Sequence, residues 1–233
     1  MTSIYLIRHG QASFGQQNYD QLSPLGKQQS RRLGESLQQR LGHFDRVCLG
    51  SMFRHRQTAA ECLEAMGQDT PDGEWDCNSG WNEYDHQNIL AQLNPEFATV
   101  SGIQAYVSQQ ADTKHAFEKL FNDAISRWMS GEYDGEYSEA WPVYQKRIKQ
   151  ALAKTIEKNP NAEKIAVFTS GGAISVISQY LLGVAPEHFM KLNWTLLNCG
   201  VTKLVTTGSR LFVASLNEHT HFEGQHQSLI SYK

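Results

Sequence analysis

The sequence predicts an α/β fold with a largely parallel sheet that helices cover on both faces. Short runs of β-branched and aromatic residues, several ending in a glycine turn, alternate with longer stretches of helical periodicity. Parallel strands need such helical crossovers, and strands that are buried on both faces are nearly continuous apolar runs. The 233 residues are enough for one large domain that carries an insertion.

The sequence carries clear signals for the first strand and the first helix. A buried strand is predicted over Ser3–Ile7, and Gly10 ends it. A polar loop follows that is long for a plain connection, and such loops in compact domains often carry function. The stretch "LSPLGKQQSRRLGESLQQRLG" then predicts a helix with Ser23 as its N-cap, Pro24 at its first position and Gly42 as its stop.

The middle of the chain predicts a second strand and then an insertion. "RVCLG" at 46–50 is a buried strand, and "RHRQTAAECLEAM" is the helix after it. The irregular "EWDCNSGWNEYDH" leaves room for a short strand ending near Trp81. Residues 88–138 are helical and rich in turns, so we expect a cap insertion at about 85–140. "EAWPVYQKRIKQALAKTIEKNP" then returns to the core as a long amphipathic helix.

The last third of the chain completes the sheet. "KIAVFTSGG" is a third strong strand that ends in a glycine turn, and "AISVISQYLLG" is its helix. "GVTKLVTTG" and "RLFVASLN" predict two more strands. Because no internal repeat or linker divides the chain, we expect residues 1–233 to form one domain with the insertion in its middle.

Composition excludes several classes of partner. The net charge is −3 and no basic run is present, so a nucleic-acid partner is not expected. No window approaches the roughly 20 apolar residues of a membrane helix, and the start lacks the charged and apolar regions of a signal peptide. The four cysteines lie far apart without a C-x-x-C pair, which is typical of reduced thiols in a cytoplasmic protein.

Three of the strands end in polar, glycine-containing turns, at 8–10, 50–54 and 170–172. In an open α/β sheet, ligands bind beyond the carboxyl ends of the strands, so these turns should meet. Arg8 offers a planar fork of donors for phosphate or carboxylate oxygens, and Arg54 stands at the positive end of a helix. The turn of Ser170 and Gly171 adds backbone N–H groups, so the sequence predicts an anion site.

One histidine lies at the centre of this expected site. Nearby guanidinium charges disfavour a protonated imidazole, so His9 is expected to be neutral. A neutral imidazole beside a bound phosphate can attack phosphorus and form a covalent intermediate. Glu83 in "WNEYDH" is the candidate acid that protonates the leaving oxygen. The arginines can take the developing charge, so no metal or cofactor is expected.

Several motifs together resemble the histidine phosphatase superfamily, also called the phosphoglycerate mutase-like family. They are "LIRHG", "LSPLGKQQ", "SMFRHRQTAA", "NEYDH", the Gly-Gly turn after "IAVFTS" and the ending "SLNEHTHFE". The resemblance implies a three-layer α/β/α sandwich with a helical cap between core strands. It also implies a metal-independent phosphomonoesterase in which His9 becomes phosphorylated, Arg8 and Arg54 hold the phosphoryl group, and Glu83 moves the proton.

The sequence departs from the family pattern at two positions. The family places a second histidine where this chain has Ser170, and the loss of one such donor can lower the rate about 100- to 1000-fold. His221 is the candidate accessory residue that would compensate. The asparagine that the family carries in the loop after "RHG" is replaced by Gly15, with Asn18 as a substitute. Low activity is therefore one expectation.

Two other interpretations concern these same residues. Ser170 could simply cap the helix that follows it. His219 and His221 alternate along an apparent strand end and would point the same way, which with His226 suggests a metal site. No acidic or cysteine partner stands at ligand spacing, so a metal is not expected.

Four functions remain open. Hydrolysis of a phosphate monoester is favoured over mutase chemistry, because "YDHQNILAQL" after Glu83 is unlike the "ERHYG" stretch of glycolytic mutases. A non-catalytic phosphate-binding protein is the third, since Ser170 replaces the histidine. The fourth is a serine hydrolase, although "FTSGG" lacks the first glycine of G-x-S-x-G. The substrate is a small phosphate ester or a phosphoprotein, and the sequence does not indicate the oligomeric state.

Overall fold

The computed structural model describes residues 1–13, 20–68, 71–208 and 210–232. The chain divides into two compact units. The first consists of Met1–Glu83 together with Ile148–Lys233, and the second is Tyr84–Arg147.

Six strands of the described residues form one mixed sheet. The strands are β1 (Ser3–Arg8), β2 (Arg46–Leu49), β3 (Asp76–Cys77), β4 (Lys164–Thr169), β5 (Val201–Thr207) and β6 (Arg210–Glu218). Their order in the sheet is β3-β2-β4-β1-β5-β6. The strands β1 to β4 run parallel to one another, whereas β5 is antiparallel to β1 and β6 is antiparallel to β5. A largely parallel sheet is therefore confirmed.

Helices fill the connections between the strands and form the second unit. The periodicity of the sequence does not predict the short helix over Phe189–Thr195. The helices are α1 (Pro24–Leu41), α2 (Phe53–Ala65), α3 (His86–Leu93), α4 (Val100–Ser108), α5 (Thr113–Met129), α6 (Trp141–Lys158), α7 (Gly171–Leu182) and α8 (Phe189–Thr195).

Both faces of the central strands are buried, as predicted for a covered sheet. On one face, Tyr5 and Ile7 of β1 join a core cluster with Leu33 of α1 and Cys62 of α2. The intervening residues point to the opposite face, and Leu6 is fully buried there. This double burial is why the strands are continuous apolar runs in the sequence.

The predicted ends of α1 are confirmed. The Ser23 hydroxyl accepts a hydrogen bond of 3.0 Å from the Gly26 backbone N–H, and Pro24 begins the helix. Gly42 ends it with a φ of 76°, a conformation that glycine adopts without steric penalty. These local signals fix where α1 begins, directly after the segment that follows the first strand.

An aromatic cluster lies within the second unit. Trp128 is fully buried, and its ring centroid lies 5.2 Å from that of Tyr84, 5.0 Å from that of Trp141 and 5.5 Å from that of Tyr144. Tilted and edge-on arrangements at this spacing are favourable for aromatic pairs. These side chains therefore form a packed core for the helices of Tyr84–Arg147.

The end of β6 differs from the sequence expectation. The strand stops at Glu218, and residues 220–222 form a single helical turn, so His219 and His221 do not alternate along a strand. The expectation that both rings point the same way, as on a strand, is therefore wrong. In the part of the chain that the structure describes, no group of three or more His, Cys, Asp or Glu side chains is arranged to hold a metal ion.

Two further features concern membranes and thiols. Over the described ranges, no helix is both long and apolar enough to cross a bilayer. The cysteines Cys48, Cys62 and Cys199 are free and buried, whereas Cys77 is free and exposed. Burial raises the pKa of the Cys48 thiol to about 12, which makes it a structural rather than a reactive residue.

The close packing of α1 on α2 leads to a stability prediction. A methyl group added at Gly34 would lie 2.2 Å from the Cys62 carbonyl oxygen, so Gly34→Ala must push the helices apart. We expect the free energy of unfolding to fall by about 1–3 kcal/mol in urea denaturation. The matched control is Gly73→Ala, since nothing lies within 4 Å of the added methyl group there. Equal stability of the two variants would contradict the prediction.

Candidate active site

The carboxyl ends of β1, β2 and β4 lie at the same edge of the sheet. Arg8 of β1 is in register with Thr169 of β4, and Leu49 of β2 is in register with Phe168. The polar turns that follow these three strands therefore meet at one place. This is the position at which an open α/β sheet binds its ligands.

His9 lies at the centre of this edge and is 5% exposed. Its Nδ1 is 2.7 Å from the Gly10 carbonyl oxygen. A carbonyl oxygen only accepts hydrogen bonds, so Nδ1 carries the hydrogen and Nε2 carries the lone pair. The His9 backbone is held by Thr169, whose carbonyl accepts from the His9 N–H at 2.9 Å. The structure thus fixes both the tautomer and the place of the ring.

The surroundings keep His9 uncharged. Burial lowers the pKa of the His9 imidazole well below its ordinary value, and the positive charges of Arg54 and Arg8 lower that pKa further. The hydrogen bond to the Gly10 carbonyl opposes the shift without reversing it. A neutral His9 at physiological pH agrees with the expectation from the sequence.

Arg54 is the second residue of α2 and is almost fully buried. Its Nη1 donates a hydrogen bond of 2.9 Å to Asp20 Oδ1, and the Phe53 backbone N–H donates one of 2.8 Å to Asp20 Oδ2. A carboxylate at the start of a helix is stabilised by the helix dipole. An anionic group therefore already lies where the sequence predicts that an anion would be attracted.

Arg8 ends β1 and reaches the segment between α8 and β5. Its Nη1 donates hydrogen bonds to the carbonyl oxygens of Leu196 and, at 3.2 Å, of Tyr232. A methyl group added at Gly171 would lie 2.6 Å from Asn193 Oδ1 and 3.4 Å from Arg8 Nε. A glycine at position 171 therefore lets the turn after β4 approach the Arg8 guanidinium group.

Ser170 has a different role from the helix cap that the sequence allowed. It occupies the N-cap position of α7, but its side chain makes no capping hydrogen bond. Its Oγ instead lies 2.7 Å from Nε2 of His55, and both residues are fully buried. The cap interpretation is therefore wrong, because the hydroxyl is engaged by an imidazole from α2.

Glu83 lies beside the same turn. Its Oε2 accepts a hydrogen bond of 3.1 Å from the Gly172 backbone N–H, in the first turn of α7. Trp81 anchors the loop that carries it, because the Trp81 carbonyl accepts a hydrogen bond of 2.6 Å from the Thr169 hydroxyl. The carboxylate is thus brought to the end of β4, next to Ser170.

The surroundings of His221 differ from those of His9 and Ser170. It is buried, its ring centroid is 4.1 Å from that of Phe222, and its carbonyl accepts a hydrogen bond of 2.9 Å from Arg32 of α1. The contacts described for it do not include His9 or Ser170. Gly15 and Asn18, named above for the loop after "RHG", lie outside the described residues.

The burial of His221 predicts a dependence of stability on pH. Burial and then the charges of Arg32 and Arg40 lower the pKa of His221 to about 4. The unfolded chain therefore binds a proton below about pH 6.5 that the folded chain does not bind, so stability falls as the pH drops. His221→Asn should reduce the slope of unfolding free energy against pH by about 1.4 kcal/mol per unit between about pH 6.5 and 4.

Urea unfolding curves of wild type and His221→Asn at several pH values test this. Only the slopes are compared, because the substitution also changes the absolute stability. Equal slopes in the two proteins would show that His221 takes up its proton in the folded state.

Sequence reasoning missed four residues that support the site: Asp20, His55, Thr58 and Asn198. The Thr58 hydroxyl accepts from the Gly10 N–H at 3.0 Å, and the Asn198 amide donates to the His9 carbonyl at 3.1 Å. These bonds hold both polar groups of the peptide that joins His9 to Gly10. Asn198 and Asp20 carry no local pattern that marks them.

A signal for His55 was present in the sequence. It stands at helical spacing from Ala59 and Cys62, which form the buried stripe of α2. A histidine on such a stripe is directed toward the interior rather than toward solvent. The position next to Arg54 therefore predicts a buried imidazole near the anion site.

Comparison with known proteins shows the superfamily of the chain. The sequence pattern of the histidine phosphatase superfamily (branch 1) matches residues 4–97 and 103–219, which is most of the chain. The chain belongs to this superfamily. The resemblance read from "LIRHG" and the accompanying motifs is thus confirmed.

Proteins similar to this chain include phosphatases and a mutase. The broad-specificity phosphatase YOR283W of Saccharomyces cerevisiae is 25% identical over 190 residues, covering 76% of this chain and 69% of the yeast protein. A phosphoserine phosphatase from Entamoeba histolytica has a TM-score of 0.65 at 22% identity and covers 95% of this chain and 99% of its own. A Bacillus anthracis phosphoglycerate mutase has a TM-score of 0.65 at 17% identity over 94% of each chain. The predicted phosphoglycerate mutase-like fold is confirmed.

Proposed function

We propose that the protein is a phosphatase that hydrolyses a phosphate monoester through a phosphohistidine at His9. One observation carries the proposal. His9 is buried and neutral beside two arginines, and its Nδ1–H is used by the Gly10 carbonyl, so the lone pair of Nε2 is available for attack.

In the first step, Arg8 and Arg54 bind the phosphoryl oxygens together with backbone N–H groups at Gly171. His9 Nε2 attacks phosphorus, a P–N bond forms, and the P–O bond to the leaving group breaks. Protonated Glu83 donates its proton to the departing oxygen, so the leaving group departs as an alcohol. The two guanidinium groups stabilise the charge on the transferred phosphoryl group, and the step as written uses no metal or cofactor.

In the second step, a water molecule attacks the phosphohistidine. The Glu83 carboxylate accepts a proton from that water, a new P–O bond forms, and the P–N electron pair returns to His9 Nε2. Inorganic phosphate leaves, and both residues regain their starting state. Asp20 keeps the Arg54 guanidinium in place through both steps.

Two comparisons support hydrolysis over the alternatives. The yeast relative is a broad-specificity phosphatase, and the Entamoeba histolytica neighbour is a phosphoserine phosphatase. The stretch after Glu83 also lacks the pattern expected of glycolytic mutases. We interpret Tyr84–Arg147 as the cap insertion expected at about 85–140, and the substrate as a small phosphorylated molecule or a phosphoprotein.

The test is release of inorganic phosphate from p-nitrophenyl phosphate, phosphoserine and 3-phosphoglycerate with EDTA present. We expect turnover of at least one of these esters and none of p-nitrophenyl acetate, which offers no phosphorus to His9. Formation of 2-phosphoglycerate from 3-phosphoglycerate would instead indicate a mutase. Binding of vanadate without turnover of any ester would indicate a non-catalytic phosphate-binding protein.

A further inference from the structure

An imidazole lies beside the nucleophile even though position 170 is a serine. The His55 ring centroid is 5.8 Å from that of His9, and His55 Nε2 is 2.7 Å from Ser170 Oγ. His55 belongs to α2 and Ser170 follows β4, so the pair links the helix after the second turn to the third turn of the site. The position of this imidazole matters because the family resemblance expects a second histidine at position 170.

The fold makes room for this ring. A methyl group added at Gly50 would lie 2.3 Å from His55 Nδ1, so a glycine is needed at the end of β2. His55 and Ser170 are fully buried, and a buried polar group is stable only when it is hydrogen-bonded. The bond between them is therefore a built part of the interior rather than a chance surface contact.

The chemistry of the pair suits a hydrogen-bond relay. Burial and the charge of Arg54 lower the pKa of His55 well below its ordinary value, so the ring is neutral. A neutral imidazole has one donor nitrogen and one acceptor nitrogen, whereas a hydroxyl can accept and donate at once. Adjacent hydrogen bonds strengthen one another in a low-dielectric interior.

We propose that Ser170 and His55 act as one unit that replaces the second histidine of the site. The relay assigns the hydrogen of the neutral His55 ring to Nε2: with substrate bound, Nε2–H donates to Ser170 Oγ, and the Ser170 hydroxyl donates to a phosphoryl oxygen. Ser170 is then the catalytic residue of the pair and His55 a positioning residue. The inference rests on the proposed function. It says which residues supply the hydrogen bond to the phosphoryl group when position 170 is not a histidine.

The most informative variant moves the imidazole from position 55 to position 170. Ser170→His alone should be crowded, because Ser170 is fully buried and its Oγ already lies 2.7 Å from the His55 ring. The double variant His55→Ala/Ser170→His vacates that volume and fills it from position 170. We expect it to regain kcat to within about 10-fold of wild type.

The single variants give the matched comparison. His55→Ala and Ser170→Ala should each lower kcat by about 10- to 100-fold with KM changed less, since the relay acts mainly on the transition state. The double alanine variant should be no slower than the slower single, because residues that act as a unit are not additive. Urea unfolding shows whether each variant is folded, and His55→Leu, which fills much of the ring volume without a donor, replaces His55→Ala if the alanine variant unfolds.

The outcomes separate this inference from the proposed function. If wild type turns over and His55→Ala keeps the wild-type kcat, the relay is overturned while the phosphatase stands. The relay is also overturned if the fold losses in kcat of His55→Ala and Ser170→Ala multiply in the double alanine variant. It is overturned as well if His55→Ala/Ser170→His is as slow as His55→Ala. Labelling of Ser170 by a fluorophosphonate would show a serine nucleophile with His55 as its base, which contradicts the relay. No phosphate release by wild type from any ester would overturn the proposed function itself.

Discussion

Replacing His9 by alanine is expected to lower kcat for p-nitrophenyl phosphate by about 10⁴- to 10⁶-fold, as removal of a covalent nucleophile does elsewhere. The physical reason is that His9 Nε2 provides the lone pair that attacks phosphorus. The arginines would still bind phosphate, so the inhibition constant of inorganic phosphate should change less than kcat. Steady-state assays with phosphate as competitor measure both quantities.

The control for this variant is His188→Ala, which removes an exposed histidine from a surface turn of the same unit. We expect it to retain wild-type kcat and KM. A His9→Ala protein that is folded and hydrolyses the ester within 10-fold of wild type would show that another residue, or water, attacks phosphorus.

Replacing Glu83 by glutamine is expected to slow hydrolysis of phosphoserine by about 100- to 10,000-fold, because an alkyl oxygen leaves poorly without a proton. p-Nitrophenolate is a better leaving group and needs no proton, so its release in the first step should be affected less. The second step still lacks its base, so stopped-flow traces should show a burst of about one equivalent of p-nitrophenol followed by slow turnover.

The amide introduced by Glu83→Gln keeps an oxygen that can accept from the Gly172 N–H, so the loop position is preserved. Glu74→Gln changes an exposed carboxylate of the same unit and serves as the control with wild-type rates. Equal losses for phosphoserine and p-nitrophenyl phosphate, without a burst, would indicate that Glu83 positions the substrate rather than transferring a proton.

Much of the fold could be predicted because its signals are local. β1, β2 and β4 are short apolar runs, and α1 carries a serine cap and a glycine stop. The order of the strands in the sheet depends on pairing between distant residues, and no local pattern encodes it. His221 shows the opposite failure, since the spacing of "HTH" suggests a strand whereas β6 ends three residues earlier at Glu218.

The candidate site was predictable where its residues follow strands directly. Arg8 and His9 end β1, and Arg54 opens the helix after β2, so the parallel sheet alone brings them together. The partner of Ser170 was not predictable in this way. His55 stands 115 positions away in the sequence, and only the packing of α2 against β4 makes the two meet.

The direct test of the central claim is to identify the covalent intermediate. Enzyme mixed with p-nitrophenyl phosphate is quenched in denaturant within milliseconds, digested without acid and analysed by mass spectrometry. The account predicts a phosphoryl group on the peptide containing His9, on nitrogen and therefore labile to acid, absent from His9→Ala and accumulated in Glu83→Gln. A phosphoryl group on Ser170, or turnover without any phosphorylated His9, would contradict it.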